Sequence, residues 1–175
     1  MPWTCSRCGA VHEGIPFSFA WGAPDHWAWV PESERAERGE CHEDVCWIVD
    51  DAGDLAHFMR GTIEIPILDP EDPGDEDQSS FVFGVWASVS EPSFERILEL
   101  DEQPEREGEG FFGWLSNRIR GYDDTLNLPT DVWLREPGIR PLIVPQRGEH
   151  QLAKEQHAGM TLDRARELAE AHLHG

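Results

Sequence analysis

Four cysteines fall in two pairs, Cys5 with Cys8 and Cys41 with Cys46. The Cys5-x-x-Cys8 spacing lets two thiolates face one cation while the backbone between them turns. Gly9 then permits the left-handed turn that aims amides at the sulfurs. The second pair has four residues between its members, within the spacing of zinc fingers, so the two pairs make a loose zinc-ribbon-like set. The chemistry this predicts is one zinc bound by Cys5, Cys8, Cys46 and either Cys41 or His12, with His42 a further competitor. A closed site of this kind is structural. Two other uses compete for the same thiols. A redox dithiol commonly sits where a strand feeds a helix, a pattern not evident at Cys5. A catalytic zinc keeps one open position and needs a general base, for which Glu13 or Glu43 is the neighbour.

Outside the cysteines, Arg60 and Gly61 interrupt an apolar strand, and Arg60 either pairs with a carboxylate or points into a binding site. Residues 113–125 gather Trp114, Asn117, Arg118, Asp123, Asp124, Thr125 and the chain's single tyrosine, Tyr122. Ligand-binding residues are concentrated on such loops, although Asn117 and Asp124 could serve only turns. A concave site joining Arg60, Trp86, Asn117, Arg118 and Tyr122, next to Trp114, would mark an enzyme or small-molecule binder. Trp21, Trp27 and Trp29, with Phe17, Phe19, Pro24 and Pro31, either line an apolar groove or fill core behind loops. His172 and His174 fall in the terminal turn, where solvation is expected. His26 and His57 have no partner at a diagnostic spacing. The signatures of serine hydrolases, zinc proteases and phosphate-binding loops are missing.

The elements that must position these residues are mostly strands first and helices last, an α+β arrangement. Residues 45–49, 55–68 and 81–90 predict a three-stranded antiparallel meander. Ile63, Ile65 and Ile67 alternate, as do Phe81, Phe83, Val85, Ala87 and Val89. Ser90 or Ser93 caps a helix with Phe94, Ile97 and Leu98 on one face. Residues 110–120 predict a short helix around Trp114, Leu115 and Ile119, and residues 130–135 and 139–144 two more strands. Residues 149–158 predict a helix closed by Gly159. Thr161 caps a last helix with Leu162, Ala165, Leu168, Ala169 and Leu173 inward. The expected whole is a single domain over 1–175, an antiparallel sheet with packed C-terminal helices. Its residues 1–46 form a loop-rich, zinc-knuckle-like metal-binding module.

Composition bounds the function. The 175 residues carry 35 acidic against 14 basic side chains, a formal charge of −21, and 39% are hydrophobic, which is too apolar for a disordered chain. The acidity argues against nucleic acid and anionic membranes. It leaves room for a basic protein partner. Segments 69–77 and 99–109 together hold 11 of the 21 excess charges, so much of the acidity is local. No basic, apolar leader opens the chain and no run is long enough for a membrane span, so a soluble cytoplasmic protein with reduced thiols is expected.

Several separated blocks together resemble a bacterial family of uncharacterised proteins, domain of unknown function 2199. They include Cys5-Ser6-Arg7-Cys8-Gly9-Ala10-Val11-His12, Ala23-Pro24-Asp25-His26-Trp27, Glu43-Asp44-Val45-Cys46, Arg60-Gly61-Thr62-Ile63-Glu64-Ile65-Pro66, Gly84-Val85-Trp86-Ala87-Ser88, Gly113-Trp114-Leu115-Ser116-Asn117-Arg118 and His150-Gln151-Leu152-Ala153-Lys154-Glu155-Gln156. The resemblance implies a soluble bacterial protein with no established activity. It also implies that Cys5, Cys8, His12 and Cys46 are the common set and Cys41 a local addition. The expected function is a small zinc-binding protein with structural zinc that acts on a macromolecular partner, in a regulatory or immunity-like role. The alternative is an enzyme or small-molecule binder using the Trp-rich loops and residues 113–125.

Overall fold

Alternation with period two runs through the middle of the chain and a 3.6-residue period through its end, and the elements follow. The computed structural model describes residues 3–70 and 79–174. Two short strands, β1 (Trp3–Thr4) and β2 (Val11–His12), precede β3 (Ser18–Ala20), α1 (Asp25–Trp29) and α2 (Arg35–Arg38). Then come β4 (Gly39–Cys41), β5 (Val45–Val49), β6 (Leu55–Pro66), β7 (Ser80–Val89) and α3 (Glu91–Glu99). The chain ends with β8 (Gly110–Leu115), β9 (Pro129–Trp133), β10 (Leu142–Pro145), α4 (Gln151–Ala158) and α5 (Leu162–Leu173).

The predicted meander is present: β5, β6 and β7 pair antiparallel, with Cys46 opposite Phe58 and Ile63 opposite Phe83. Because β6 and β7 are long, each serves two neighbours on one side. The first half of β6 pairs with β5, while Thr62 meets Leu142 of β10 in parallel. Ala87–Val89 of β7 pair with β8, and Val82–Gly84 with β3. Strands β6, β7, β8, β9 and β10 thereby close on themselves, a partial barrel flanked by β5–β4 on one side and β3 on the other. Strand twist makes such closure feasible for long, bent strands.

Ile63, Ile65, Phe81, Phe83, Val85, Leu115, Val132 and Ile143 fill the interior at 0% exposure. Helices α3, α4 and α5 add Ile97, Leu152, Leu162, Ala165, Leu168 and Ala169 to the same core. A second cluster of Val30, Cys46, Ile48, Phe58 and Trp86 lies on the other face of β5–β7, where Trp21 and Trp27 pack against it. Those two tryptophans therefore serve as core behind loops, while Trp29 stays exposed. The caps fall where the sequence placed them, Ser90 accepting from Ser93 N and Thr161 from Arg164 N. Gly159 closes α4 at φ 85°.

Three expectations change. Residues 110–115 form strand β8, since Gly113 and Leu115 point in while Phe112 and Trp114 point out, a period of two. Leu98, expected inward, is 49% exposed, and Leu173 is 41% exposed, because the buried faces of their helices are narrower than the apolar pattern suggested. Most of the acidic segment 69–77 lies outside the described residues. No helix among the described residues is long and apolar enough to cross a membrane.

Candidate metal centre

Strands β1 and β2 pair with Trp3 opposite His12, so residues 5–10 fold back between them. Cys5 N donates to Ala10 O at 2.9 Å and Gly9 N to Cys5 O at 3.0 Å, with Gly9 at φ 72°, where a side chain would be strained. Arg7 N–H points at Cys5 Sγ at 3.4 Å, as an amide should in a thiolate knuckle. The turn thus presents Cys5 and Cys8 beside His12, whose ring stacks on Trp3 at 4.9 Å and is held in orientation by it.

A fourth donor arrives from the far end of the chain. His174 follows the last turn of α5, and the donor atoms of Cys5, Cys8, His12 and His174 all lie within 4.8 Å of one another. Cys8 Sγ is 3.4 Å from His174 Nε2, close to the roughly 3.5 Å edge between sulfur and nitrogen ligands of a tetrahedral zinc. His12 Nε2 is buried with no hydrogen-bond partner among the described residues, a state that a bound cation would relieve. A second contact fixes the same approach: Ser6 N donates to Glu170 Oε1 at 2.8 Å, and the Ser6 hydroxyl to Glu170 Oε2. Those two hydrogen bonds hold the Glu170 carboxyl below its ordinary pKa. The arrangement is a Cys2His2-like cluster compatible with a metal ion.

Cys41 and Cys46 are not in this group. They face each other across the β4–β5 hairpin, and the Cys46 thiol donates to Cys41. Burial raises the pKa of both, and for Cys46 the bond to Cys41 adds to the shift. Cys46 belongs to the second apolar cluster and Cys41 packs against it, and His42 beside them is exposed and turned to Glu40. The terminal histidines also differ from expectation. His174 joins the cluster, and His172 is half-buried, stacked on Phe19 at 4.8 Å and edge-on to Trp21. Burial, with Arg120 adding to it, pushes the pKa of His172 down to about 4.

The second expected site is divided among different surroundings. Trp86 and Asn117 are fully buried, and Asn117 Oδ1 accepts from Trp86 N while its Nδ2 donates to Ala23 O and Asp25 Oδ1, tying a loop to β7. Arg118 pairs with Asp124 and lies over Trp29. Tyr122 donates to the buried Glu155. Arg60 borders a separate cleft with Arg106 and Arg140. Trp114 is exposed, edge-on to Phe112 at 5.0 Å. The sequence carries no local signal for His174 or for the buried Arg106, whereas Phe112 and Trp114, two residues apart, bear the mark of a strand's outer face.

Fold and centre together define a class: an α+β protein built on a partly closed barrel, with a Cys2His2-like cluster joining its first hairpin to its last helix. The profile of a family described as an uncharacterized protein conserved in bacteria (DUF2199) matches residues 4–160, and the chain belongs to that family. A search of curated proteins and one of solved structures returned no match. The matched region ends before α5, so His174 stands beyond it.

Proposed function

We propose that this protein is a zinc-stapled scaffold that acts by binding a protein partner with a basic contact surface. The observation that carries the proposal is an unpartnered aromatic face: Phe112, Trp114 and Trp133 are 48%, 45% and 42% exposed on the outer side of β8 and β9. Register sets them side by side, with Trp133 across from Gly110, Phe112 from Asp131 and Trp114 from Pro129. Gly110 lets Trp133 lie flat over the strand, since a Cβ there would come within 2.6 Å of the indole. Clustered aromatics of this kind are the usual anchors of protein interfaces. The acidic segment 99–109 runs directly into β8, which supplies the charged rim that speeds encounter with a basic surface.

The donor chemistry supports zinc in a supporting role. Two cysteines and two histidines whose donor atoms lie within 4.8 Å of one another suit zinc, and four protein ligands would leave no position for a reacting water. Bound there, the ion would supply a cross-link between the first hairpin and α5. The decisive experiment is quantitative capture from native lysate with wild type and with the Phe112→Ser/Trp114→Ser double variant. A stoichiometric protein partner should be retained at low salt, weaken as salt rises, and bind about tenfold to a hundredfold less well to the variant. A partner indifferent to both salt and variant, or no partner at all, overturns the function proposed.

A further inference from the structure

A cleft of about 550 Å³ opens beside β6, where the β4–β5 turn, the connection after α3 and the β9–β10 turn converge. Its charged groups can be accounted for one by one. Arg140 is committed, its Nε to Asp44 Oδ1 at 2.6 Å and its Nη2 to Glu43 Oε1 at 2.8 Å. Arg106, with only 5% of its side chain exposed, is held through Nη1 by Asp101 at 3.1 Å. Two groups remain. Arg60 has no carboxylate partner among the described residues: its Nη1 reaches only the Glu43 carbonyl at 3.2 Å, and its guanidinium lies 6.0 Å from the Trp86 ring centre. Glu102 lines the same cleft, exposed and without a partner among the described residues. In addition, Nε of Arg60 and Nε of Arg106 are buried with no hydrogen-bond partner among the described residues.

One uncommitted cation and one uncommitted anion therefore face one cavity without pairing with each other. A simple anion would meet the field of a −21 chain and the carboxylates of the rim. A simple cation would meet three guanidinium groups. We propose that the cleft binds a small zwitterion bearing a carboxylate and an ammonium group, a free amino acid or a short peptide. The ligand carboxylate takes the planar fork of Arg60, with Arg106 behind it, and the ammonium takes Glu102. Guanidinium geometry matches a carboxylate's two oxygens, and the Nη edge of Arg60, which no carboxylate of the chain takes among the described residues, is the part of the fork left to a ligand. This site is separate from the aromatic face and does not depend on it.

Calorimetric titration of the purified full chain with free amino acids and dipeptides, one at a time at millimolar concentration, tests the proposal. At least one should bind saturably, and its N-acetylated or amidated form should bind more weakly. Arg60→Gln should lower affinity about tenfold to a hundredfold, the loss of one charge-assisted contact. Glu102→Gln should weaken the zwitterion yet leave the N-acetylated form unchanged. Glu102 is on the exposed rim, so this second variant reports on the site even if Arg60→Gln disturbs folding. Absence of saturable binding by every probe, equal binding of the N-acetylated form, or indifference to Glu102→Gln overturns the assignment.

Discussion

At the scale of single residues, Tyr122 is the most readable group in the molecule because no other tyrosine competes with its signal. Its hydroxyl donates to Glu155, whose other oxygen accepts from Gln151 Nε2 and Arg164 Nε, both at 2.9 Å. Burial, reinforced by that carboxylate acceptor, lifts the phenol well above the ordinary tyrosine range. A phenol raised in this way keeps its proton in the folded chain where the unfolded chain gives it up. Stability is therefore undiminished below pH about 10 and falls as pH rises through that value. Absorbance at the phenolate band should stay silent in the folded protein and appear together with the loss of ellipticity. A separate phenolate step in the folded state would refute the arrangement. Tyr122→Phe should remove the step and cost about 1 kcal/mol, because Glu155 keeps Arg164 and Gln151. Sequence alone marked this residue as a binding candidate, since a lone tyrosine among turn residues resembles a functional loop. Its commitment to Glu155 depends on a helix packed against the loop, which local pattern does not show. Cys41 and Cys46 teach the same point, because a four-residue gap fits both a zinc finger and a tight hairpin.

At the scale of elements, α5 acts as an arm that grips the first hairpin. The Thr161 cap fixes its start, and burial of Leu162, Ala165, Leu168 and Ala169 fixes its rotation. Glu170 and His174, four residues apart, then reach the hairpin together, one at Ser6 and the other at Cys8. Elemental analysis of untagged protein should find one zinc per chain. Chelation should speed hydrogen exchange at residues 3–12 and 162–174 and leave residues 80–89 protected, since β7 lies in the barrel. Equal exchange with and without metal in those two segments would show that the helix docks without the ion. His174→Ala should reduce zinc affinity by more than the roughly tenfold that a lost supporting contact costs. Cap, register and extent of this helix were legible because they are written in neighbouring residues. The fourth member of the cluster, His174, was not, because its neighbours there stand at the opposite end of the chain. Strand β8 was misjudged for a related reason: Trp114, Leu115 and Ile119 have a helix-like spacing, and only pairing with β7 and β9 settles the period.

At the scale of the whole molecule, everything rests on closing the barrel, and closure depends on one narrow passage. Strand β10 meets β6 in parallel through Leu142 and Thr62, where Thr62 N donates to Pro141 O at 2.9 Å. Gly61 makes the approach feasible. A Cβ at that position would come within 2.6 Å of Pro141 O and 2.8 Å of Ile143 Cγ1, so either the strands separate or Ile143 leaves the core. The same junction borders the cleft that contains Arg60 and Pro141, so the binding site shares in the closure. Gly61→Ala should therefore cost about 2–3 kcal/mol, a fall in Tm of roughly 5–10 °C, and should loosen the cleft and barrel together. Gly148→Ala is the matched control, because the nearest atom to its new Cβ is Gln146 O at 3.9 Å and stability there should hold. If Gly61→Ala melts with the wild type, β10 does not sit against β6 and the ring is open in solution.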